Sequence, residues 1–320
     1  MNSTFPSIEL SVVIPIYNEE NNIDPLLTRL IPIASTIGIY EVIFVIDPGT
    51  DNSEDLIMKY SEANNCIKYI KMSRRFGQPA ATFAGIRFSR GNFVVIMDAD
   101  LQDPPELILD LYNKAKIGFD VVYAKRNSRI GENFIKKLVA KIGYFVINKL
   151  SDVTIPRDTG DFRILSRRFV IELLKLKESH GFLRGLVAFI GFKQTFILFD
   201  RVERFMGKGN YNRFFGSLKI GLNGIFGFST KPLTYMTFVG VFISIISFLT
   251  GIWYLAQKFL GIQLTPGLST TVIILTFLSG VQLLSLGILG QYITRIYDEV
   301  KQRPLFIVDT HSNSIEIDKN

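Results

Sequence analysis

The chain has 320 residues, 48% of them hydrophobic, and carries a net charge of +7. That length suits one α/β domain with an appendage, and the single cysteine, Cys66, excludes an intrachain disulfide. Positive charge fits nucleic acid or an anionic membrane surface; no basic run of nucleic-acid type occurs, so nucleic acid is not an expected partner.

Residues 1–9 lack a charged segment leading into an apolar one, and no signal peptide is expected there. From Leu10 to about Phe199, short β-rich runs alternate with helical patterns. Strands are predicted over 10–16, 41–46, 67–72, 92–97 and 120–124, and helices over 21–37, 52–64, 79–89 and 105–117. Near-continuous apolar strands alternating with helices argue for an α/β fold with a mostly parallel sheet covered on both faces. Ligands bind beyond the carboxyl ends of such strands, so the polar residues found there are the candidates.

Pro15 to Glu20 follows the first strand, Asp47 to Ser53 the second and Asp98 to Glu106 the fourth. Three acidic clusters at three strand ends would converge on one crevice, although helix capping alone accounts for an Asp51 or an Asp103. Asp98 and Asp100, one residue apart, can direct oxygens to one hard cation, Mg²⁺ or Mn²⁺, shared with substrate phosphate. His180, before Gly181, is expected as a turn residue, and with the distant His311 it forms no metal-ligand cluster.

A catalytic domain is thus expected over 1–211. In 212–232, Phe214, Leu218, Leu222 and Ile225 recur at helical spacing with Arg213 and Lys219 toward the edges. This predicts an amphipathic helix lying in a membrane interface, packed on the preceding domain, or both. Residues 233–255 and 259–294 contain no charged side chain and are long enough to span a bilayer. A two-helix transmembrane hairpin is expected over 233–294, turning near Gly261, Pro266 and Gly267. Arg213, Lys219 and Lys231 precede it, Arg295, Lys301 and Arg303 follow it, and Lys258 alone lies between. The positive-inside rule then puts the catalytic domain and a tail over 295–320 in the cytoplasm, with the chain multi-pass in the cell's inner (plasma) membrane. Two helices offer little packing surface, so a homo-oligomer is a further expectation.

Val12 to Glu20, Asp47 to Ser53 and Asp98-Ala99-Asp100-Leu101-Gln102-Asp103-Pro104-Pro105-Glu106 together resemble family-two glycosyltransferases of the GT-A, Rossmann-like fold. Asp158-Thr159-Gly160-Asp161-Phe162-Arg163 and Arg204-Phe205-Met206-Gly207 resemble the polyprenyl-phosphate branch, which includes dolichyl-phosphate mannose synthase and the bactoprenol glucosyltransferases. The segment from Gly290-Gln291-Tyr292 to Pro304 is similar to bactoprenol members that end in two spans.

The resemblance implies transfer of a hexose, glucose first among the candidates, from a UDP-sugar to a polyisoprenyl phosphate such as undecaprenyl phosphate, with inversion. It implies that Pro15, Tyr17, Glu19, Asp47, Asp98 and Arg126 hold the nucleotide-sugar, with Asp47 reading the base edge. Asp98, Asp100 and Gln102 would bind the metal. Asp158, Asp161 and Arg163 would face the reacting sugar as the catalytic group, and Arg129, Arg201, Arg204 and Lys208 would meet the acceptor phosphate. Some positions depart from the family pattern. The usual Asp-Asp-Gly-Ser is Ile46-Asp47-Pro48-Gly49, the usual Asn before Phe76-Gly77 is Arg75, and the usual Gly-Glu-Ser-Lys is Gly207-Lys208-Gly209-Asn210.

A phosphate monoester with a second pKa of about 6 is largely dianionic at neutral pH, so the acceptor needs charge management more than a general base. Arginine forks suit that task. A processive polysaccharide synthase is the nearest alternative, but its Gln/Arg-x-x-Arg-Trp element is missing, because the only tryptophan, Trp253, lies in an apolar segment. A catalytically silent membrane-tethered scaffold would have no use for Asp98 and Asp100.

Overall fold

The computed structural model describes residues 7–127, 159–176, 178, 183–200, 226–227, 229–260, 267–313 and 315. Two compact units divide them. One contains everything described up to residue 200 and from Arg303 onward, and the other runs between residues 226 and 302.

The first unit begins β1 (Leu10–Ile16), α1 (Glu20–Ile37), β2 (Tyr40–Ile46), α2 (Ser53–Ala63), β3 (Ile67–Met72) and α3 (Gln78–Phe88). It continues β4 (Phe93–Ile96), α4 (Leu107–Lys116), β5 (Val121–Arg126), β6 (Thr159–Ser166), α5 (Arg167–Lys175), α6 (Leu183–Ile190) and β7 (Gln194–Phe199). The second unit holds α7 (Lys231–Phe259) and α8 (Leu268–Lys301), after which β8 (Val308–His311) returns to the first. The five expected strands and four expected helices all form, with ends within two residues of the predicted ones.

The strands form one sheet in the order β7-β5-β6-β4-β1-β2-β3-β8. It is mostly parallel, with β6 antiparallel between β4 and β5 and β8 antiparallel on β3. Val12, Ile14, Phe44, Val95 and Ile164 on one face pack with Leu26 and Leu30 of α1 and with Ile108 and Leu111 of α4. On the other face α3 lies so close that a Cβ on Gly85 would come within 2.2 Å of Val13 Cγ1. Burial on both faces explains why these strands are apolar without alternation.

At the amino ends of β1, β2 and β3 the second residues are polar and buried. Glu41 accepts from Ser11 Oγ at 2.6 Å, from Lys68 Nζ at 2.6 Å and from the Arg90 backbone N–H at 2.7 Å. This cluster joins three strands at the end of the sheet opposite the acidic loops.

Val308–His311 adds a strand to the β3 edge within the segment that sequence leaves as a tail. His311 is opposite Ile70, Thr310 is opposite Lys71, and Ser73 N–H donates to the Ile307 carbonyl at 2.9 Å. Phe306 packs edge-on against Phe88 of α3.

In the second unit, Lys231–Trp253 and Ile273–Lys301 are long and apolar enough to cross a membrane. Tyr292 Oη of α8 donates to the Ser229 carbonyl ahead of α7 at 2.7 Å, and Phe226 stacks edge-on with Tyr292. The α8 helix runs past the apolar stretch to Lys301 and ends at Gln302 in the left-handed conformation. Most of the expected amphipathic helix and the turn over 261–266 lie outside the described residues.

Glu41→Ala should leave the buried Lys68 ammonium without its carboxylate and cost about 3–5 kcal/mol. A urea or thermal melt should show that loss, and Glu41→Leu with Lys68→Met should recover only part of it, because Ser11 and the Arg90 N–H still lose their acceptor.

Candidate active site

Because β4, β1 and β2 are parallel neighbours, the three acidic segments collect at one edge of the sheet. Strand order reverses between β1 and β4, which is where such sheets bind ligands. Pro15 helps open that crevice. The Val13 carbonyl faces β4 and accepts from Met97 N–H at 3.2 Å. Two residues on, Pro15 faces the same way with no N–H to donate, and the β1–β4 ladder ends there.

The loops after β1 and β2 are laced together. Asn18, at φ 55°, accepts from Thr50 N–H at 2.8 Å, and Glu20 N–H donates to Asp51 at 3.0 Å. Asp51 also accepts from the N–H and Oγ of Ser53, from one residue ahead of the α2 N-cap, Asn52. Glu19 accepts from Asn22 Nδ2 at 2.6 Å and its N–H donates to Ser53 Oγ at 3.0 Å. Asp47, 3% exposed, uses one carboxylate oxygen on Phe76 N–H (3.0 Å) and the other on Gly77 N–H (2.8 Å). It thereby pins the loop after β3. Tyr17 lies under the Arg75 guanidinium, whose Cζ is 3.7 Å from the ring centroid.

Asp98 and Asp100 are half-buried just past β4. Asp98 Oδ1 accepts from Gln78 Nε2 at 2.7 Å, and Asp100 Oδ1 accepts from the backbone N–H of Gln102 at 3.1 Å. Buried Leu101, between them in the loop, takes φ 59°, a strained value for a leucine. Among the described residues no three His, Cys, Asp or Glu side chains converge as a ready-made cage. The Gln102 side chain makes no hydrogen bond within them. Two half-buried carboxylates suit a hard cation such as Mg²⁺ or Mn²⁺ that completes its shell with water and substrate phosphate.

The Asp161 motif reaches the same edge by an unexpected route. It starts β6, and because β6 runs antiparallel to β4, its beginning lies at the end of β4. Val95 pairs with Ile164 and Ile96 with Arg163, a register that continues toward Asp98 on one strand and Asp161 on the other. Arg163 is fully buried. Its Nη2 donates to the Gly160 carbonyl at 2.8 Å, its Nε donates to the Asp161 carbonyl at 3.1 Å, and its guanidinium lies beside the Tyr123 ring.

Arg184 of α6, which sequence reasoning missed, donates through Nε and Nη2 to the two oxygens of Asp161 at 2.9 and 3.1 Å. Its signal was a lone charge within the otherwise apolar Leu183–Ile190. Gln78 was missed as well, since nothing in sequence ties the start of α3 to Asp98. Arg126 ends β5 close to Gly160, where a Cβ would come within 3.2 Å of its Nη2. Burial pushes the Asp161 carboxyl up, but Arg184, Arg163 and Arg126 outweigh it and hold the group below its ordinary 3.8. Asp158, Arg129, Arg201, Arg204 and Lys208 lie outside the described residues.

Residues 11–174 match the family described as glycosyl transferase family 2. A glycosyltransferase of Synechocystis sp. is 42% identical over 304 residues, covering 94% of this chain and 95% of the relative. The SfII prophage-derived bactoprenol glucosyl transferase of Shigella flexneri is 34% identical over 303 residues, covering 94% and 97%. Among solved structures, glucosyl-3-phosphoglycerate synthase from Mycobacterium tuberculosis superposes with a TM-score of 0.47 at 18% identity, over 68% of this chain and 78% of that one. The chain belongs to glycosyl transferase family 2.

Two outcomes follow from this geometry. Arg184→Ala should raise the Asp161 pKa. The stability that this ionised carboxylate confers is present above its unfolded value of 3.8 and lost as pH falls through the lower folded value. The variant should therefore lose stability at a higher pH than wild type in acid melts. Calorimetric titration with Mn²⁺ should show weak binding that Asp98→Ala or Asp100→Ala abolishes, because two carboxylates fill only part of a divalent cation's shell.

Proposed function

We propose that this family-two glycosyltransferase moves a hexose, glucose by preference, from a UDP-sugar to a polyisoprenyl phosphate, with inversion at the anomeric carbon. The observation that carries the reading is the meeting of Asp98 and Asp100 with the arginine-ringed Asp161 at one sheet edge, in a chain that continues into two long apolar helices. The similarity to bactoprenol glucosyl transferases over 94% of the chain supports the choice of acceptor.

Asp98 and Asp100 would hold Mg²⁺ or Mn²⁺, which would neutralise charge on the departing diphosphate. An oxygen of the acceptor phosphate forms the new bond to the anomeric carbon from the face opposite the diphosphate, while the old bond breaks and UDP leaves. Asp161 is a poor proton acceptor, since both its oxygens are held by Arg184 and its pKa is lowered. Its role is to hold positive groups beside the reacting phosphates. Arg126 would meet phosphate, and Arg129, Arg201, Arg204 and Lys208 remain the candidates for the acceptor's charge. Arg163, buried behind Asp161, acts by positioning. Asp158, one residue before β6, is the carboxylate left to orient the acceptor or a sugar hydroxyl.

The helices Lys231–Phe259 and Leu268–Lys301 would cross the membrane as a hairpin. Pairing of β8 with β3 supports an even number of crossings, because the chain leaves the sheet-bearing unit and returns to it. Lys231 at the outer end of the first helix and Arg295, Lys301 and Arg303 at the outer end of the second support a cytoplasmic placement for that unit.

Purified protein given labelled UDP-glucose, undecaprenyl phosphate and Mn²⁺ should yield a chloroform-soluble product. EDTA should abolish it, and Asp100→Ala should lower the rate by about 100-fold or more. No product from any common nucleotide-hexose, despite binding of UDP, would sink the reading.

A further inference from the structure

Two stripes run along α8. On the first, Val281, Ser285, Ile288, Tyr292 and Arg295 are half-buried. Its inner part meets the segment that leads into α7. Tyr292 bonds to the Ser229 carbonyl and stacks on Phe226, and a Cβ on Gly227 would come within 3.1 Å of Arg295 Nη1. The second stripe lies one residue on, about 100° around the helix. It consists of Ser279, Gln282, Leu286, Leu289, Ile293 and Ile296, all exposed. Steps of three and four alternate along it, which is the 3.5-residue period of a helix that packs lengthwise on another helix. Its own hairpin partner, α7, leaves it uncovered.

Gln282 is the polar outlier of this stripe. It follows the helix start at Leu268 and precedes the next charged residue, Arg295, by about 20 Å each way, which puts it at the middle of the apolar stretch. Hydroxyls elsewhere in the two helices bond back to a carbonyl of their own helix. Ser244 reaches Gly240 at 2.9 Å, Thr250 reaches Ile246 at 2.8 Å and Ser285 reaches Val281 at 2.8 Å. The Gln282 carboxamide makes no hydrogen bond among the described residues. In hydrocarbon an amide in that state is costly, because no water replaces the missing partner.

Whatever covers this stripe must share its period and offer both a donor and an acceptor at the depth of Gln282. A second copy inserted the same way round meets each condition, since its stripe is identical, its amide lies at the same depth, and a carboxamide is its own complement. We propose that α8 packs in parallel on α8 of a second copy through this stripe, with Gln282 bonded to the partner's Gln282. Leu286, Leu289, Ile293 and Ile296 supply the packing, and the amide fixes the register. The inference rests on the reading of α7 and α8 as membrane-crossing helices.

The test uses the full chain in lipid vesicles, with Cys66→Ser removing the only native cysteine. Leu289→Cys, two helical turns from Gln282 on the same stripe, should give a disulfide-linked dimer on oxidation with copper phenanthroline. Leu284→Cys, exposed but off both stripes, should not. Energy transfer between donor- and acceptor-labelled chains, followed as lipid dilutes the protein, should show the dissociation constant rising roughly tenfold in Gln282→Leu and recovering in Gln282→Asn. The thermal melt of the sheet-bearing unit should not change in either variant. Equal cross-linking at positions 284 and 289, none at 289, or unchanged association in Gln282→Leu would each overturn the proposal. Release of the chain from vesicles by alkaline carbonate would remove the membrane reading and the proposal with it, whereas a retained chain that does not associate would sink the proposal alone.

Discussion

Asp161 is a carboxylate facing Arg184, Arg163 and Arg126, and their attraction for it organises this end of the sheet. Guanidinium groups cannot share a small volume without an anion among them, and Asp161 supplies one. The same arginines make Asp161 a weak base, so their arrangement favours attraction and positioning over proton transfer. Burial of Arg163 on β6 has a related effect. Its bonds to the Gly160 and Asp161 carbonyls stiffen the start of the strand, so that Asp161 stands on a rigid element.

Parts of this arrangement were legible in sequence, and the reasons for the rest are physical. β1 to β5 are strands buried on both faces, so each is a short apolar run with an unmistakable end. Asp98 and Asp100 could be placed because they follow such a run. β6 was hidden because Gly160, Asp161 and Arg163 give it the composition of a loop, and its burial depends on an ion pair that only the fold creates. β7 is an edge strand with alternating exposure, and β8 has only four residues with a partner far away in the chain. Local pattern carries no information about such a partner.

Asp47 shows how a residue at a strand end can also build the loop beside it. The resemblance implies that it reads a base. In the fold each of its oxygens takes one backbone N–H, of Phe76 and of Gly77. Those two bonds fix the start of α3, from which Gln78 reaches Asp98. A turn-forming interaction at the end of β2 thus bears on the carboxylates at the end of β4.

The return of Val308–His311 to β3 also bears on how the chain is made. β3 emerges from the ribosome early, yet its outer edge has no partner until both apolar helices have been synthesised and β8 has followed them. At ~5–20 residues per second this leaves the edge open for about 10–50 s. During that time the Ile67–Met72 backbone presents unpaired donors and acceptors to any neighbouring chain. Lys71 in the middle of the exposed part of that strand makes it a poorer template for sticking. Completion of the sheet therefore waits on synthesis of both apolar helices, so a chain cut short within them would keep an open sheet edge for quality control to find.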